Sequence, residues 1–257
     1  MVNYFWLSYD PEESASWYCD QHCFKIGSEV VESVWDAILT LSPHLSIKAD
    51  GEGISHTYRK RRHAKPDSLW HPLSVWHGLC LSNMKRGLIN ANAIFKEHMK
   101  RTGTSHKAWE DCRFLLDNVD VVDFNCDVWM NWFSSQNGST DTPFTPSKTK
   151  KPDLVKRKLW IDEFCPTILH HDRNTCTMTE PPQCINEDIP EFSGCRVRGD
   201  VIEAYRRYYN AKIKTVSGGM RYFYTKPPSW LDANVITKRS SSKKYDSEGF
   251  LIVNLPD

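Results

Sequence analysis

The sequence predicts a mainly α-helical protein that forms a single domain over residues 1–257. Three observations support this fold class. Asp10-Pro11-Glu12-Glu13 has the form of a helix start, with a side-chain cap, a proline and two acids at the positive end of the helix dipole. Apolar residues then recur at helical spacing, and a second such pattern follows His71-Pro72. Hydrophobic residues make up 40% of the chain, which is enough for a buried core.

Helical signals fall into three core regions. In the first, one continuous helix opens at Pro11, and its apolar stripe ends at Ser42-Pro43, because the residue before a proline disfavours helix. In the second, one helix ends at Gly103 and another starts at Ser105. In the third, a helix from Val201 is followed by an extended aromatic segment. The three regions are 10–42, 72–117 and 201–231.

Helical signals are weak elsewhere. We interpret 118–200 as a long irregular insertion and 238–257, which begins with a Ser/Lys/Arg-rich run, as a mobile tail. The last four cysteines of the chain all lie in the insertion and are separated by ten, seven and ten residues. Zinc sites need closer ligand pairs than that, so we expect no metal site and no cofactor.

Charge is strongly segregated, although the formal net charge is +1. Residues 1–54 carry two basic and nine acidic side chains, a net of −7, whereas residues 55–113 carry twelve and four, a net of +8. The basic run 56–65 is typical of a phosphate-contacting loop or a localisation signal; a solvated loop without a partner is the alternative. The chain has neither a run of eighteen apolar residues nor a signal-peptide pattern, so we expect an intracellular, non-secreted protein with no membrane partner.

The stretch Cys19–Glu29 carries the most chemistry. On a helix, His22, Lys25 and Glu29 are spaced by three, four and seven residues and share one face. An imidazole, an amine and a carboxylate would therefore lie together. The alternative is an ordinary Lys25–Glu29 helical ion pair, with His22 packed against a neighbouring helix.

Three blocks resemble the pyrimidine-dimer DNA glycosylase/AP lyases (endonuclease V type) of phages and large DNA viruses. That family has Asp-Gln-His and, seven residues after the histidine, a catalytic glutamate, matched here by Asp20-Gln21-His22 and Glu29. The resemblance implies the family's small all-helical fold, double-stranded DNA as partner, and a location in the host nucleus or cytoplasm or in the virion. The blocks, 19–31, 71–117 and 203–231, cover about 90 of the 257 residues.

The resemblance also implies a mechanism. An amine attacks the sugar C1′ of a damaged pyrimidine nucleotide and expels the base, leaving a Schiff base that Glu29, beside His22, stabilises and converts by β-elimination. In the family the amine is the N-terminal amino group, here that of Val2 after removal of Met1. Twenty positions separate Val2 from His22, more than in the family. Lys25 is one helical turn from Glu29, and we rank it equally with Val2.

Basic side chains are the candidate phosphate contacts on DNA, together with Gln21 of the family motif. Phosphate contacts of this kind make binding weaken steeply as the salt concentration rises. The predicted DNA-binding residues are Gln21, Arg59, Lys60, Arg61, Arg62, Lys85, Arg86, Arg206 and Arg207.

Two other functions are compatible with the sequence. One is a catalytically silent nucleic-acid-binding or virion structural (minor capsid) protein, with the insertion 118–200 as a surface for other virion proteins. The other is an enzyme of modified nucleotides or bases, because the same acid and amine serve other glycosidic chemistry. Glu29 with an available amine favours the lyase, whereas the long insertion and the longer N-terminal arm favour the silent protein.

Overall fold

Most described residues are helical. In the computed structural model, 62% of the residues that it describes are in helices and none of them is in a β-strand, which confirms the mainly helical class. Val2, the basic run 56–65, most of the insertion and the tail 238–257 lie outside the described residues. The described residues are 4–41, 71–122, 124, 180–185, 187, 189–213 and 219–232.

Seven α-helices lie in the described part of the chain. Short 3-10 turns occur at Val119–Val121 and Pro190–Phe192. The α-helices are α1 (Pro11–Ser16), α2 (Asp20–Cys23), α3 (Ile26–Leu41), α4 (Pro72–Leu79), α5 (Leu81–Thr102), α6 (Ala108–Asn118) and α7 (Val201–Ile213).

The chain divides into two compact units. Unit 1 contains the two ends of the chain, 1–29 and 183–257, together with 89–109. Unit 2 contains 30–88 and 110–182. The single domain expected from the sequence stays a prediction.

The prediction of one continuous helix over 10–42 is wrong. The region forms α1, α2 and α3, with breaks at 17–19 and 24–25. In the last core region, 201–231, the helix ends at Ile213 and the described part from residue 219 onward contains no helix, as the predicted extended segment requires.

Tertiary hydrogen bonds explain the first break. The amide of Cys19 donates to the Tyr209 hydroxyl at 2.7 Å, and the amide of Asp20 donates to the carbonyl of Arg221 at 2.7 Å. A continuous helix would direct both amides to carbonyls four residues earlier. The Arg101 guanidinium donates hydrogen bonds to three carbonyls of that same stretch, those of Ala15, Ser16 and Tyr18, at 3.4, 3.0 and 2.8 Å.

Other helix ends follow the sequence signals. The His71 side chain accepts the amide of Leu73 at 3.2 Å, and Pro72 occupies the first position of α4. Gly103 ends α5 with φ +70°, the left-handed conformation that glycine adopts without strain. Asp200 Oδ1 accepts the amide of Glu203 at 2.9 Å and caps α7.

The core of unit 1 is aromatic and centres on Phe5, which is 1% exposed. Its ring centroid lies 4.9 Å from that of His22. Cys184 and Phe192 of the insertion also join this core, since Phe192 packs edge-on against a tyrosine of α7 at 4.7 Å. The tyrosines around Phe5 are Tyr18, Tyr205, Tyr208 and Tyr209, at centroid distances of 4.9 to 6.1 Å.

Unit 2 packs α3 and α5 closely against α4. The Ser33 hydroxyl lies 3.1 Å from His77 Nδ1, and a Cβ added to Gly87 would meet His77 Nε2 at 2.2 Å. Only glycine fits at that position. Further along α5, the carbonyl of Leu88 accepts from the thiol of Cys112 on α6 at 3.4 Å.

Gly27 allows α3 to begin directly against α5. A Cβ at this position would meet Cε1 of the buried Phe95 at 2.9 Å and Cγ2 of Ile94 at 3.3 Å. We expect Gly27→Val to lower the free energy of unfolding by about 1–3 kcal/mol, because the added atoms overpack a filled core. Urea unfolding measures this loss. Gly27→Ala, which adds one methyl group, should cost less; a valine variant as stable as the wild type would contradict the packing.

Candidate functional site

His22 is held by a hydrogen bond between α2 and α7. Its Nδ1 lies 3.0 Å from the Tyr209 hydroxyl, and its ring is 8% exposed. The amide of Cys19 donates to the same hydroxyl at 2.7 Å. Burial, followed by the positive charges of Lys212 and Lys25, lowers the pKa of His22 to about 3. The imidazole is therefore neutral at physiological pH and positions α2.

Lys25 and Glu29 form an ion pair along one turn, as their spacing predicts. Lys25 Nζ lies 2.6 Å from Glu29 Oε1, and the two side chains are 67% and 15% exposed. The carboxylate thus lies mostly below the surface while the amine reaches solvent. Glu29 Oε2 is buried and has no hydrogen-bond partner among the described residues. One oxygen of this carboxylate remains able to accept a proton or to face a cation.

Lys212, near the end of α7, is a second amine at this site, and it was not predicted from the sequence. It lies one turn after Tyr209, just as Lys25 lies one turn after His22. Burial and the positive charge of Lys25 lower the pKa of Lys212, while Glu29 opposes the shift. Its ammonium also lies 5.5 Å from the ring centroid of Tyr208. A partly buried lysine of lowered pKa beside a carboxylate is the type of amine that acts as a nucleophile.

A buried ionic network holds α2 in place. Arg101 Nε lies 2.7 Å from Glu97 Oε1, and Arg101 NH1 lies 3.2 Å from Asp20 Oδ1. The Arg101 side chain is 1% exposed. The other oxygen of Asp20 accepts the amide of Phe223 at 2.7 Å. Burial raises the pKa of Asp20 against the opposing effects of Phe223 and Arg101.

Gln21 pairs with the backbone of the C-terminal segment. Its Oε1 accepts the amide of Arg221 at 3.0 Å, and its Nε2 donates to the carbonyl of Gly219 at 2.9 Å. The side chain that the sequence predicts as a DNA contact therefore joins two parts of unit 1. Its side-chain amide thus donates one hydrogen bond and accepts another.

The described basic residues that the sequence predicts as DNA contacts include three with contacts inside their own unit. Arg206 Nε donates to the carbonyl of Leu7 at 2.9 Å, and its guanidinium lies 5.0 and 5.6 Å from the ring centroids of Trp17 and Trp230. Arg207 forms an exposed pair with Glu203 at 2.8 Å. Lys85 and Arg86 belong to unit 2, where Lys85 pairs with Asp120 at 2.6 Å. Arg59, Lys60, Arg61 and Arg62 lie outside the described residues.

The described ranges contain neither a metal site nor a membrane-spanning helix. Within the described ranges, no group of three or more His, Cys, Asp or Glu side chains is placed to hold a metal ion. None of the helices there is both long and apolar enough to cross a membrane. In comparisons with known proteins, no family model, no curated protein and no solved structure matched this chain.

Proposed function

We propose that this chain is a DNA base-excision glycosylase and AP lyase that acts on damaged or modified pyrimidines through an amine-derived Schiff base. The observation that carries the proposal is the Glu29 carboxylate, which is largely buried, has one oxygen without a partner among the described residues, pairs with Lys25 and acts electrostatically on Lys212. An amine and a carboxylate in one site are the groups that this chemistry requires.

The first step is base expulsion. The neutral amine of Lys212 attacks C1′ of the damaged nucleotide, and the N–C1′ bond forms as the bond from C1′ to the base breaks. The base leaves with the electron pair and takes up a proton. The amine then loses a proton, the C1′–O4′ bond opens with protonation of O4′, and an iminium ion remains. Glu29 stabilises this positive charge.

The second step is strand cleavage. Glu29 accepts a proton from C2′. The electron pair of that C–H bond forms a C2′–C3′ double bond, and the C3′–O bond breaks with release of the 3′ phosphate. Water then hydrolyses the imine and frees the amine. Lys25, held 2.6 Å from Glu29, positions the carboxylate throughout. The neutral His22 donates no proton to these steps at physiological pH, because its pKa is about 3.

Borohydride trapping tests the proposal. The wild-type protein is mixed with a duplex that contains one abasic site, or one thymine dimer, and the imine is reduced to a stable adduct. We expect an adduct, and we expect Glu29→Gln to slow its formation and strand cleavage about 10²–10⁴-fold, because the amide cannot accept a proton. Glu203→Gln is the matched control, since Glu203 forms an exposed pair of the same spacing with Arg207.

Two results would contradict the proposal. One is the absence of any adduct on both substrates with correctly folded protein. The other is equal trapping by the wild type and Glu29→Gln. Mass spectrometry of the digested adduct identifies the attacking amine directly, and it includes the amine of Val2 in the comparison.

The alternative is the catalytically silent nucleic-acid-binding or virion structural protein. One observation favours it: Gln21, His22 and Arg206, three of the predicted functional residues, all make internal contacts that stabilise unit 1. Such a protein would bind DNA with strong salt dependence yet give no adduct. The trapping experiment, combined with a binding measurement, therefore separates the two functions.

A further inference from the structure

We infer that residues 20–25, which comprise α2 and the turn after it, and the segment 219–226 together form a binding surface for an unpaired DNA strand. We call this the α2 surface. The inference rests on the proposed function only in taking DNA as the partner. It assigns the nucleic-acid contact to residues of unit 1 that the sequence did not indicate, with Arg221 and Lys226 as the main cationic groups.

The backbone of the α2 surface is fixed. The amide of Asp20 donates to the carbonyl of Arg221 at 2.7 Å, and the amide of Arg221 donates to Gln21 Oε1 at 3.0 Å. The amide of Phe223 is held by Asp20 Oδ2 at 2.7 Å. These bonds orient the side chains of the segment before any ligand arrives, which reduces the entropy lost on binding.

The exposed charge on this surface is positive. Arg221 and Lys226 are exposed, and Arg221 makes no ion pair with any described residue. Lys25 is 67% exposed, whereas Glu29 beside it is 15% exposed. The carboxylate of α2, that of Asp20, is buried and engaged by Arg101. A polyanion therefore meets three exposed cations and little negative charge.

Aromatic rings belong to the same two segments as these cations. Phe24 and Tyr224 are partly exposed, with ring centroids 6.0 Å apart. Phe223, also partly exposed, is the neighbour of Tyr224 in the chain. Aromatic side chains interleaved with basic ones bind single strands, because unpaired bases stack on the rings while phosphates contact the cations. Bases within a duplex cannot stack in this way, so the surface fits an unpaired strand.

Fluorescence anisotropy tests the inference with a labelled oligonucleotide that carries no damage, offered as a single strand and as a duplex. We expect the wild type to prefer the single strand. Arg221→Gln/Lys226→Gln should weaken single-strand binding at least about tenfold, and Lys96→Gln/Lys100→Gln, which removes two exposed cations elsewhere in unit 1, should change it less than about twofold. With three cationic contacts, the slope of log affinity against log salt should fall from about −2.1 to about −0.7.

Two further variants isolate the separate contributions. Arg221→Lys/Lys226→Arg keeps the charges and should retain binding, whereas Tyr224→Ala should weaken it and Tyr224→Phe should not. Equal losses in the two double glutamine variants, a preference for the duplex, or no binding at all would overturn the inference. Because the oligonucleotide is undamaged and binding alone is measured, failure of the lyase chemistry would leave this result interpretable.

Discussion

Replacing Lys212 with methionine should remove the borohydride-trapped adduct, with a loss of about a hundredfold or more, because the attacking amine is gone while its apolar stem is retained. Trapping on an abasic-site duplex measures this. Lys25→Met is the control, since it removes the neighbouring amine and leaves Lys212 in place. An adduct of normal yield in Lys212→Met, mapped to the N-terminal peptide, would instead assign the attack to Val2.

The pH profile separates a nucleophile from a structural lysine. The neutral amine attacks, so the trapping rate should rise with pH through the pKa of Lys212 and level off below the ordinary lysine value of 10.5. Lys25 lowers that pKa through its positive charge. Lys25→Met should therefore shift the profile to higher pH without abolishing the reaction. An unchanged profile would contradict the proximity of the two amines.

Replacing Arg101 with methionine should lower the free energy of unfolding by about 3–5 kcal/mol, since Asp20 would be left as a buried carboxylate without its cation and Glu97 would keep only Lys100, at 3.6 Å. The Arg101 side chain is 1% exposed, and those of Asp20 and Glu97 are 4% and 9% exposed. Urea unfolding gives the loss. Arg207→Met, which breaks an exposed pair of the same spacing, should cost less than about 1 kcal/mol.

The loss in Arg101→Met should also depend on pH. Without the cation, burial holds the folded-state pKa of the Asp20 carboxyl above its unfolded value. The destabilisation is therefore full above the folded pKa and is relieved as the pH falls and Asp20 takes up a proton. The variant should be closer to wild-type stability at pH 5 than at pH 8. A loss that is the same at both pH values would point to packing instead of charge.

The sequence predicted the helical class and several helix ends correctly, because these depend on local signals. Gly103 and the cap at His71 are examples. The break between α1 and α2 could not be predicted, because the apolar pattern continues across it. The amides of Cys19 and Asp20 donate to partners that lie far away in the sequence. Helix propensity depends on neighbouring residues and does not include such partners.

The site was predictable only in part for the same reason. The Lys25–Glu29 pair follows from spacing along one helix. Lys212 carries no local signal, since its significance depends on the contact of Tyr209 with His22. The sequence predicted Arg206 as a phosphate contact, but its guanidinium packs against two tryptophans from distant segments. Which basic residues face a ligand is decided by tertiary packing.

The hydrogen bonds that fix α2 have a consequence for the order of events during synthesis. Those made with α7 and the segment after it join residues separated by 187 to 203 positions, including the contacts of His22 with Tyr209 and of Asp20 with Phe223. Contacts of such long range form slowly, because a large loop must close before any of them is made. On the ribosome, residues 19–22 must therefore wait for α7 and residues 219–224 to emerge. The site is complete only after residue 224 has been translated.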